Sequence, residues 1–192
     1  MQIYVGYGFN AGNVRNSDIL RLLYKYDTPL YNKCIESVQE EEPDFYTADM
    51  IKFIKSREIF SIDELSAAVS AAERNGEIVP DKMDDVDMDV FCDAAAEIAT
   101  EQYGSLSDFL CDVINKGEEE AAKTNDIVTQ YDSRFVVFDS VAFIGDCEKR
   151  ANYIKTRDDF IAMVARYVST ENIIFGALWE GSDLDEPNFF IE

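Results

Sequence analysis

QIYVGYG, residues Gln2–Gly8, alternates apolar side chains with small or polar ones at a period of two and predicts a β-strand at the head of the chain. How this strand is paired decides the fold, because more than a hundred residues of helical pattern follow it. Ser17 is placed to cap a helix through Lys25, and Thr28-Pro29 offers a second start, a capping residue followed by proline. A third helix is expected from Thr47 to about Arg57, with Met50, Ile51, Phe53 and Ile54 inward. Ser61-Ile-Asp-Glu64 reads as a capping box, and the alanine-rich helix behind it stops near Asn75-Gly76. Pro80-Asp81 is expected to open a long helix that ends before Gly104. Ser105 with Asp108 starts another, closing at Lys116-Gly117.

The pattern changes after Asn125. Ile127–Tyr131, Phe135–Ile144 and Asn172–Trp179 are rich in β-branched and aromatic residues and predict strands, with a helix from Thr156 through Val168 among them. The expected class is α+β, with the N-terminal strand and the C-terminal strands in one sheet and a helical lobe inserted between them. The corresponding division of a single compact unit over 1–192 makes 17–125 a mostly helical acidic lobe. Residues 126–182 form a strand–helix–strand region completing a sheet with 1–8, and 183–192 an acidic tail.

Composition narrows the function before any motif does. The chain has 39 Asp and Glu against 17 Lys and Arg, a net charge of -22, and no histidine. Thirteen Phe and ten Tyr supply a packed core and oppose the reading of a charged disordered chain. Charge of this sign repels nucleic acid and anionic membrane and attracts basic surfaces. Without histidine, the commonest general base and metal ligand are both missing. The charge is also uneven. Residues 1–60 hold seven basic and nine acidic residues, 61–134 five and nineteen, and 135–192 five and eleven.

The densest acid lies at 81–101, DKMDDVDMDVFCDAAAEIATE. Asp85, Asp89, Asp93, Glu97 and Glu101 recur at i, i+4, a step of about 6 Å along a helix. Neighbouring phosphates on one nucleic-acid strand are a comparable distance apart, roughly 6–7 Å, although the axial rise in duplex DNA is only about 3.4 Å per strand. The row is therefore expected to present carboxylates where a basic DNA-binding cleft takes phosphates. Like charges at this spacing cost a helix about 0.2–0.5 kcal/mol per pair, which a basic groove would offset. Asp84, Asp85 and Asp87 also suit the first turn of a helix, where they complement its dipole. Four residues turn the helix 400°, so Glu97 and Glu101 are expected to drift toward the face used by Val86, Val90, Ala94 and Ile98. The candidate partner-binding set is Asp84, Asp85, Asp87, Asp89, Asp93 and Glu97, with Glu118, Glu119 and Glu120 as a weaker second cluster.

Other motifs fail on their own terms. Asp85-x-Asp87-x-Asp89 opens like an EF-hand loop, but Val90 and Ala96 stand where that loop needs glycine and glutamate. Gly6-x-Gly8-x-x-Ala11 follows a strand yet opens no helix. Cys34, Cys92, Cys111 and Cys147 have no paired spacing and no histidine to complete a zinc site, so buried free thiols are expected. No nucleophile has a histidine base. No catalytic residue, cofactor or metal is therefore expected, and the chain reads as a binding protein, not an enzyme. No apolar run nears the roughly 20 residues of a membrane span, and no signal peptide is visible, which predicts a cytoplasmic protein.

Size, acidity, lack of histidine and the 81–101 stripe together resemble the inhibitors of bacterial defence nucleases carried by phages and mobile elements. Anti-CRISPR proteins fit better than antirestriction DNA mimics, which tend to be more elongated and evenly charged. The resemblance implies a stoichiometric inhibitor in a bacterial host cell, its acidic face occupying the basic channel of an RNA-guided nuclease or its guide complex. It implies no direct contact with nucleic acid or membrane. The near-neutral N-terminal segment is left to pack on protein or to form a homodimer. The alternative is an acidic adaptor or accessory protein that binds an unrelated basic partner.

Overall fold

A computed structural model describes the backbone of residues 3–124, 135–138, 141–145, 157–169, 173–179 and 189–191, and the side chains of 8–120 and 161–169. The chain divides into two compact units. One is residues 16–101; the other is made of 1–15 and 102–192.

The 16–101 unit is helical. It contains α1 (Asn16–Tyr26), α2 (Thr28–Glu41), α3 (Ala48–Ser56), α4 (Ile62–Arg74) and most of α5 (Met88–Tyr103). Three of these starts have a local cause. The Asp27 side chain accepts the N–H of Leu30, Thr47 that of Met50 and Ser61 that of Glu64, so orphan donors are satisfied at three helix N-termini. Glu64 in turn accepts the N–H of Phe60 at 2.7 Å. The cap of α2 is thus Asp27, one residue before the threonine expected. α4 ends as Asn75-Gly76 predicted. Gly76 takes φ +68°, and the N–H of Glu77 returns to the Ala72 carbonyl at 2.9 Å.

Ile19, Leu20, Leu23, Tyr31, Ile35, Met50, Ile54 and Phe91 are nearly or fully buried in this unit. Tyr31 stands edge-on to Tyr24, ring centroids 5.2 Å apart, and its hydroxyl has no hydrogen-bond partner among the described residues.

The second unit carries the strands β1 (Ile3–Asn10), β2 (Phe135–Phe138), β3 (Val141–Gly145), β4 (Ile173–Trp179) and β5 (Phe189–Ile191), in the antiparallel order β2-β3-β1-β4-β5. α6 (Leu106–Thr124) packs on β2 and β3, and α7 (Arg157–Val164) follows later in the chain.

The expected class is corrected. Where side chains are placed, 72% of residues are helical and one strand is present, so the described chain is mostly helical and the α+β class is not supported. The physical reason is the density of capped, amphipathic segments between Asn16 and Thr124. The strand ladders fall outside those residues except for the end of β1. The lobe boundaries change with it, since α6 belongs with 1–15 and not to a lobe spanning 17–125.

Helix boundaries also differ: α1 begins at Asn16, ahead of the expected cap Ser17, and α7 ends at Val164. Pro80-Asp81 opens no helix: Met83–Asp85 form a 3-10 turn and α5 begins at Met88. Burial of Met83 and Val86 at 2% exposure each holds that turn against the unit's core. Gly117 does not end α6, which runs on to Thr124. A Cβ at Gly117 would sit 2.4 Å from the Tyr167 ring, so the glycine is a hole in the helix surface that the ring fills. The segments expected at 127–131 and 183–188 lie outside the described residues. Residues 189–191, expected in an acidic tail, pair with β4.

Candidate partner-binding face

α5 separates its residues by polarity. Met88, Phe91, Cys92, Ala95, Ile98 and Ala99 are buried, and Asp89, Asp93, Glu97 and Glu101 are exposed. The four acids keep strict i, i+4 spacing over about 18 Å of helix. Glu97 and Glu101 were expected to turn inward, but the buried face is set by Phe91, Cys92 and Ala95. Val90 and Ala94 are only half-buried, which leaves the full row in solvent.

The N-terminal part of the candidate set is not on this helix. Asp84 and Asp85 are exposed in the 3-10 turn, so Asp85 does not extend the helical row. Asp87 is exposed too, and its carboxylate accepts the N–H of Asp89 at 2.9 Å, tying off a donor at the start of α5.

Within the row, Asp93 accepts a hydrogen bond from the Asn16 amide at 2.8 Å. Among the described residues no ion pair engages Asp84, Asp85, Asp87, Asp89, Asp93, Glu97 or Glu101. Their field reaches inward. The Cys92 thiol is pushed up to about 12, first by burial and then by the carboxylates of Asp89, Asp93, Asp87 and Glu64. Elsewhere in this unit acids are answered: Arg21 pairs with both Asp18 and Glu64 while lying over the Phe60 ring.

Glu118, Glu119 and Glu120 belong to α6 and the other unit. Glu118 is part of the fold's own packing. It accepts the Tyr167 hydroxyl at 2.6 Å and pairs with Arg166 at 2.8 Å, with its side chain 19% exposed. Glu119 and Glu120 are exposed.

Cys34, Cys92 and Cys111 are free and buried, each pushed up to about 12 chiefly by burial, so all three are protonated and inert at neutral pH. Cys147 lies outside the described residues. No group of three or more Cys, Asp or Glu is placed to hold a metal ion among them. No described helix is long and apolar enough to cross a membrane.

No family model, curated protein or solved structure matches the chain. The reading of function therefore rests on this surface alone. One feature of it carries no signal in the sequence: in the connection between α4 and α5, Ile78 is 93% exposed. Nothing in the local sequence marks that isoleucine, because burial of an isolated apolar residue in a loop is decided by what packs over it.

Proposed function

We propose that the chain is a stoichiometric inhibitor of a bacterial defence nuclease, of the anti-CRISPR kind, acting in the cytoplasm of a bacterial host cell. It binds without turnover. The row Asp89, Asp93, Glu97 and Glu101 lies against the basic channel that takes target DNA in an RNA-guided nuclease or its guide complex. The single observation that carries the reading is that this row is exposed throughout and has no internal cation among the described residues. A row of like charges left unanswered within the fold is stabilised when a basic groove closes on it.

The test is a duplex-binding assay on a panel of guide-loaded CRISPR nucleases and restriction enzymes, with and without excess protein. Loss of duplex binding by one member is expected, with salt weakening the inhibition. The triple variant Asp89→Asn, Asp93→Asn, Glu97→Gln should restore duplex binding. Unaltered inhibition by the variant would move the site away from α5. No effect on any member would favour an acidic adaptor for an unrelated basic partner.

A further inference from the structure

We infer that Ile78 is a preorganised apolar anchor of the partner-binding surface, and that the partner presents an apolar socket rimmed by basic side chains. The inference rests on the inhibitor reading and sharpens the chemistry of the surface it meets. An isolated exposed isoleucine is ordinary on a protein surface. What distinguishes Ile78 is that the chain is fastened on both sides of it while its own side chain stays in water.

On the N-terminal side, Glu77 is pinned by three contacts. Its N–H closes the end of α4 on Ala72, its carboxylate pairs with Arg57, and it accepts the Asn75 amide at 3.2 Å. Arg57 is itself seated over the Phe53 ring, 4.5 Å from the centroid. The turn before it is closed as well, with the Gly76 N–H on the Glu73 carbonyl at 3.0 Å. On the C-terminal side, Val79 and Pro80 are half-buried, and Met83 and Val86 are buried under the 3-10 turn. An interface anchor is effective when its backbone is fixed before binding, since less ordering entropy is then lost.

The surroundings select the partner's polarity. From residue 73 to 93 there are eight acids and two bases, and all eight acids are exposed. Chain length alone holds Asp81 within about 11 Å of Ile78. Binding hot spots take this form, an apolar anchor filling a pocket with charged groups around it. A nucleic acid offers no such socket to an acidic surface, and a second copy of this chain would meet it with like charge. A basic protein surface fits both features. Ile62, the other exposed large apolar residue described, is 51% exposed at the opposite end of α4, about 18 Å along the helix from Arg74, and serves as the control.

The experiment titrates the same panel of guide-loaded nucleases and restriction enzymes with the wild-type chain, Ile78→Ser, Ile62→Ser and the triple α5 variant, at low and high salt. Ile78→Ser should fold with an unchanged melting curve. It should bind the responsive panel member about tenfold to a hundredfold more weakly, as burial of one aliphatic side chain implies, with the salt dependence of binding intact. Ile62→Ser should bind as the wild type does. Unchanged affinity of Ile78→Ser beside a weakened triple variant overturns the anchor and leaves the inhibitor reading standing. If no panel member binds the wild type, both fail. Sedimentation of the free protein closes the last route: a wild-type dimer that Ile78→Ser dissociates would make the occupant a second copy and overturn the basic-socket assignment.

Discussion

The acids of α5 and Glu118 of α6 look alike in sequence and do opposite things in the fold. Glu118 receives a tyrosine hydroxyl and an arginine, and is 19% exposed. Asp89, Glu97 and Glu101 are exposed, with no ion pair among the described residues, and Asp93 accepts the Asn16 amide. The difference teaches that a carboxylate's purpose is read from what answers it. A charge satisfied by its own chain holds the fold together, and a charge left to solvent in a regular row is available to another molecule.

The largest effect that bears on this contrast is at alkaline pH. Cys92 is on the buried side of α5 and Cys111 on that of α6, and burial pushes both thiols from the ordinary 9.0 up to about 12. A raised thiol pKa contributes stability that is complete below pH 9 and lost as pH rises from 9 toward 12, because in that window the unfolded chain binds fewer protons. Each thiol should cost about 1.4 kcal/mol of stability per pH unit there, read by denaturant unfolding at stepped pH. The comparison sharpens when Asp89→Asn and Asp93→Asn are introduced. The loss linked to Cys92 should shrink, since those two carboxylates help raise it, and the loss linked to Cys111 should not. An alkaline loss left unchanged by the double variant would mean that burial alone sets the Cys92 thiol.

Next in size is the α6 side. Gly117→Ala gains about 1 kcal/mol in helix propensity but drives a methyl into the Tyr167 ring. Overpacking of this kind costs about 1–3 kcal/mol, so a net loss is expected in chemical denaturation. The Tyr167–Glu118 bond should be lost with it. A more stable Gly117→Ala protein would show that the ring is free to move aside, and that Glu118 is less committed to the fold than its contacts imply.

What sequence could reveal follows the range of the physics. Thr47, Ser61 and Ser105 act within three residues, so the starts of α3, α4 and α6 were legible. The end of α4 at Asn75-Gly76 was legible for the same reason. Gly117 misled because its helix is completed by Tyr167, fifty residues away, and glycine inside a helix normally marks its end. Pro80 misled because Met83 and Val86 are drawn into the core, which holds a turn where periodicity continued a helix. At the candidate face, the spacing of the acids was visible in the sequence. The inward turn expected of Glu97 was not found, because Phe91, Cys92 and Ala95, not Val90 and Ala94, set the buried side. Glu118 could not be separated from Glu119 and Glu120 without Tyr167 and Arg166 in view.

The smallest effect is the most direct test of the row. Asp93→Asn keeps an acceptor for Asn16 while removing the charge between Asp89 and Glu97. It relieves two like-charge pairs, each about 0.2–0.5 kcal/mol, so the protein should gain a few tenths to about 1 kcal/mol. Added salt screens the same repulsion, so the gain should diminish as salt rises, and unfolding at two ionic strengths checks it. Stabilisation by removal of that charge would show that the repulsion along the row is not answered within the fold. Destabilisation by Asp93→Asn would instead mean that the carboxylate is engaged within the fold, as Glu118 is, and the division between the two helices would disappear.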